Sequence, residues 1–117
     1  MALPPGWPRE VPHPTHDAFA ERAVLWLLDQ GPSVLRDEPA LRQNPIVLAR
    51  IVAHHLDASL EGARVAYSAL RRELPDLAAA TIDMALTAIQ REGARLQATR
   101  RELALVEEAL GGAGEID

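Results

Sequence analysis

PIVLARIVAHHLDASLEGARVAYSALRREL, residues 45–74, decides the fold of this chain. Asn44-Pro45 supplies a capping residue followed by a proline already set for the first helical position, and no further proline interrupts the stretch before Pro75. Within it Ile46, Ala49, Ala53, Leu56, Leu60, Ala63, Tyr67, Leu70 and Leu74 recur at alternating steps of three and four, which is the seam of an amphipathic helix and excludes the two-residue period of a strand. At 1.5 Å per residue such a helix is about 45 Å long and needs a partner of similar length to bury that seam.

The partner follows directly. Pro75-Asp76 ends the first helix and offers a new start, after which Ile82, Ala85, Ile89, Leu96, Leu103, Val106 and Leu110 keep the same spacing up to Gly111-Gly112, with Glu92 and Thr99 as polar seam positions. So short a turn forces the helices antiparallel, with residue i roughly opposite residue 151 − i. Upstream, FAERAVLWLLDQ carries an apolar stripe of Phe19, Ala23, Trp26 and Leu27, begins after Thr15 or Asp17, and is stopped by Gly31-Pro32. The expected fold is therefore all-α. Residues 1–14 form a Pro-rich extended segment, residues 15–110 a helical domain with helices over about 16–30, 45–74 and 76–110, and residues 111–117 a flexible tail.

Composition narrows the function classes. With 117 residues the chain holds one modest core, and at 3% aromatic content that core is built of aliphatic side chains. Absence of cysteine removes disulfides, thiolate metal sites and thiol nucleophiles and fits a reducing cytoplasm. Neither a basic-then-apolar leader nor a membrane-length apolar run is present, so a cytoplasmic protein with no membrane partner is expected. Net charge of −5 argues against nucleic acid as a partner. Every basic residue is arginine, the codon signature of a GC-rich bacterial genome.

The first helix, about 22 Å long, reaches only half of the hairpin. Val65, Ala66, Ala69, Met84 and Leu86 then lie off the seam near the hairpin tip, more apolar surface than one helix contact buries, and point to completion of a bundle by a homodimer or another helical partner. Trp7, in LPPGWPREVPHP, is a further partner-binding candidate: either a lid on this core or bait for an aromatic-lined groove elsewhere.

Chemistry finds less support. His54, Asp57 and Glu61 stand at i, i+3 and i+7 and could offer an imidazole and two carboxylates on one face to a metal or small ligand, but no Glu-x-x-His pair accompanies them. Arg50, Arg95, Arg100 and Arg101 converge at the open end of the hairpin as an anion-binding candidate, among several carboxylates. No nucleophile elbow or phosphate loop occurs, so neither catalysis nor a cofactor is expected.

LPPGWPREV, the ERAVLWLLD helix, LARIVAHHL and EGARL followed by VEEAL together resemble a set of small actinobacterial helical proteins, a likeness that implies no activity. The Trp-x-Gly secreted hairpin family is of similar size, yet the turn here reads ELPD. The reading is a non-enzymatic interaction or scaffold protein; the alternatives are a metal- or ligand-binding bundle and, more remotely, nucleic-acid binding through the arginine-rich end.

Overall fold

The structure is a computed structural model that describes residues 2–115, and among these every regular element is a helix, with no strand. Helix α1 spans Phe19–Gln30, a 3-10 turn Ser33–Asp37, α2 Pro39–Gln43, α3 Pro45–Glu73 and α4 Ala79–Glu115. Helices α3 and α4 form the antiparallel hairpin, α1 packs mainly on α3, and the molecule measures 60 × 32 × 18 Å. No described helix is long and apolar enough to cross a membrane.

Local chemistry moves several boundaries. Pro75 does not simply break a helix: the Leu77 amide donates to the Leu74 carbonyl, so Pro75 occupies the second position of a turn, where its fixed φ is favourable. Helix α4 then begins at Ala79, with the Ala78 carbonyl accepting from Thr81 and Ile82, rather than at Asp76. At its far end α4 runs through Gly111-Gly112 to Glu115, where the sequence predicts a frayed tail; residues 116–117 lie outside the described part. Asn44 closes α2 instead of capping α3, its carboxamide donating to the Ala40 carbonyl at 2.7 Å. Helix α1 starts at Phe19 with no side-chain cap from Thr15 or Asp17; the His16 imidazole Nδ1 accepts from the Ala18 amide.

The longer turn shifts the register. Arg50 meets Glu107 and Asp57 meets Arg100, each six residues further along α4 than the expected partners Arg101 and Ala94. These two ion pairs stand one heptad apart with opposite polarity, so a one-residue slip would break both and a one-heptad slip would oppose like charges. A third pair, Arg71 with Asp83, lies beside the turn.

One core occupies the open end: Phe19, Ala23, Trp26, Leu27 and Leu28 of α1 pack on Leu48, Val52, Ala53 and Leu56 of α3 and on Leu96, Leu103, Val106 and Leu110 of α4. Gly31 sits at the end of α1 for lack of room: a Cβ there would meet Leu35 Cδ1 at 3.0 Å and Val52 Cγ2 at 3.2 Å. Beyond Leu56 the hairpin has only two layers. Its buried residues there, Ala69, Ile82 and Leu86, stand outside the main core. This corrects the reading of Ala69 and Leu86 as partner-facing; both fill the hairpin interface, whereas Ile46, Tyr67 and Leu74, expected in the seam, are 45%, 44% and 43% exposed.

The Pro-rich segment is a strap made of consecutive turns. Trp7 N donates to the Pro4 carbonyl across Pro5-Gly6, and Gly6 has φ +87°, the third position of a type II turn that disfavours a side chain. A second turn links Val11 N to the Pro8 carbonyl. Between them the indole Nε1 of Trp7 donates to the Val11 carbonyl at 2.7 Å, and its ring lies 6.2 Å from that of Phe19, centroid to centroid. Trp7 is therefore a half-buried lid on its own chain, with Pro8 and Val11 buried beside it.

Candidate functional site

Where α1 stops covering the hairpin, a groove of about 540 Å³ opens between α3 and α4. Small residues create it: Ala63 on α3 and Gly93 on α4 leave the space that larger seam residues would fill, and a Cβ on Gly93 would meet nothing within 4 Å. Leu60 and Ile89 supply an apolar floor, Tyr67 stands at one end, and Asp57, Glu61 and Arg64 along α3 face Gln90 and Gln97 along α4.

Each charge on the rim already has a neighbour of opposite sign. Arg100 donates from Nε to Asp57 at 2.9 Å, and Arg64 is paired with Glu61 one turn before it. Close by, Arg95 holds Glu92 through two bonds of 2.6 and 2.8 Å, which lowers the Glu92 carboxyl below its ordinary range and raises the Arg95 guanidinium. Glu92 thus faces outward, and Gly93, not Glu92, occupies the half-buried inner position.

Asp57 and Glu61 both reach the groove, but His54 does not line it, and no trio of His, Cys, Asp or Glu among the described residues could hold a metal ion. Of the four candidate anion-binding arginines, Arg50 is engaged by Glu107, Arg95 by Glu92 and Arg100 by Asp57, which leaves these three with their charge answered inside the chain. Arg101 lies apart, in a cleft of about 260 Å³ between the strap and α4 with Pro5, Gly6 and Glu102. Val65 and Met84 are exposed at 53% and 74%, and Ala66 is half-buried.

Gly93 is a site residue that the sequence reading does not single out. Its signal is a gap, because between Ile89 and Leu96 the seam of α4 offers only the polar Glu92 and the glycine beside it reads as a blank.

Glu102, half-buried under the strap, has its carboxyl raised above the ordinary range, first by burial and then by the negative charge of Glu10. A carboxyl raised on folding opposes stability once ionised, and that cost disappears as pH falls through its folded pKa. Glu102→Gln is therefore expected to raise the melting temperature near neutral pH and to lose this advantage in acid; an advantage equal at both would remove the electrostatic account.

Comparison with known proteins adds no relative: no family model matches the chain, and no curated protein or solved structure does either.

Proposed function

We propose that this chain is a non-enzymatic interaction protein of the cytoplasm, a scaffold or adaptor built on a helical hairpin that associates with a second copy of itself. The observation that supports the reading most is the unfinished third layer. The core built by α1 ends at Leu56 and Leu96; past that point Val65 and Met84 stand exposed, and Tyr67 lines an open groove with Leu60 and Ile89. A four-helix bundle made from two hairpins is the simplest arrangement that supplies the missing layer, and twofold pairing is the commonest closed assembly.

Multi-angle light scattering on the full chain tests this. The expected result at micromolar concentration is twice the mass of the chain, with dissociation on dilution. A single species of monomer mass at every concentration would end the proposal.

A further inference from the structure

Resting on that reading of self-association, we infer that the two copies meet along the groove edge of α3, antiparallel about a twofold axis close to Glu61, so that Asp57 of each copy pairs with Arg64 of the other. The inference comes from the order of charge. Asp57 and Arg64 are one heptad apart on the same face of α3, both line the groove, and both are exposed. A twofold axis midway between them reverses that order, which brings the acidic position of each copy onto the basic position of the other. A second copy is thus the partner whose charge pattern is complementary to this edge by symmetry alone.

The pairs already present inside the chain fit the same arrangement. Asp57 would lie between Arg100 of its own chain and Arg64 of the second copy, and Arg64 between its own Glu61 and the second copy's Asp57. With two carboxylates and two guanidiniums, the edge carries no net charge to attract a strongly acidic or basic surface. Leu60 and Glu61 flank the axis, where the two Glu61 carboxylates approach each other with each held by Arg64 of its own chain, and the small residues Ala63 and Gly93 leave room for the close approach.

Charge reversal on the full chain tests the contact. Asp57→Arg and Arg64→Asp are each expected to weaken self-association about tenfold or more in sedimentation equilibrium, because like charges then face each other twice. Mixed together, the two variants should recover a heterodimer, since every contact between copies becomes arginine against aspartate. The double variant should likewise recover the homodimer, although inside each chain the arginine introduced by Asp57→Arg then faces Arg100 and the aspartate introduced by Arg64→Asp faces Glu61. Recovery in the mixture and in the double variant therefore reports the contact between copies and not repair of the fold, which circular dichroism of each variant checks separately. Should a reversal unfold the chain, Asp57→Asn and Arg64→Gln serve instead, each expected to weaken association several-fold. A dimer indifferent to these changes, or weakened variants that fail to recover, would overturn this surface and leave the dimer standing. A monomeric parent chain would overturn both.

Discussion

Leu103→Ala is expected to destabilise the fold by about 3–4 kcal/mol, within the range for a fully buried leucine whose surroundings cannot collapse around the cavity. Leu103 has no exposed surface and lies in the cluster where α1, α3 and α4 meet, among Leu27, Leu28, Leu48, Val52 and Val106, all themselves fully buried. In a chain of this size the melting temperature should fall by roughly 15 °C. Ile82→Ala near the tip provides the control. Ile82 is nearly as buried but has only one helix over it, so the backbone can close on the void and a loss of about 2 kcal/mol is expected. Urea denaturation of both variants reads the difference; an Ile82 loss equal to or larger than that of Leu103 would place the stabilising core elsewhere.

Trp7→Ala is expected to cost about 2–3 kcal/mol, less than a wholly buried tryptophan because the ring is half-exposed. Three contributions disappear together: apolar cover over the core, the ring contact with Phe19, and the indole donor to the Val11 carbonyl. Trp7→Phe keeps most of the first two and should lose only about 1 kcal/mol, the net worth of one hydrogen bond. In a Trp26→Phe background the remaining tryptophan should emit in the blue and resist quenching. Red, readily quenched emission, or a Trp7→Ala variant as stable as the parent, would show that the strap does not dock.

Fold class and helix pairing are legible in the sequence because proline positions and the three-four spacing leave no alternative, and at the open end the pattern names Ala49, Ala53, Leu56, Leu103 and Val106 correctly. Near the tip it fails by residue type. Eighteen residues are five full turns of α-helix, so Tyr67 shares the face of Ala49, but past Leu56 that face lies beyond the core that α1 completes, and the residue buried there is Ala69. Alanine carries too little hydrophobic contrast to mark that position, and the larger Tyr67 draws the assignment. Register is misjudged when Pro75 is read as a stop, since it is the corner of a turn that delays α4 to Ala79. The lid role of Trp7 depends on where α1 and α4 come together, and no local pattern contains that. The type II turn that delivers it is nevertheless written in Pro5-Gly6. The groove leaves no positive mark in the sequence, because Ala63 and Gly93 define it by the side chains they lack.

The hairpin is strongest where its two arms are farthest apart along the chain. The Arg71–Asp83 pair bridges only twelve positions, whereas Arg50–Glu107 bridges fifty-seven, and the main core lies at the latter end. Contacts that close a short loop form readily but bury little here, and those that bury most require the longest loop to close first. Folding speed is then set by a distant encounter between the start of α3 and the end of α4, not by zippering outward from the turn. Once formed, the turn end can open and close without disturbing the core, so backbone amides of residues 65–85 exchange with solvent far sooner than those of 48–56 and 96–110.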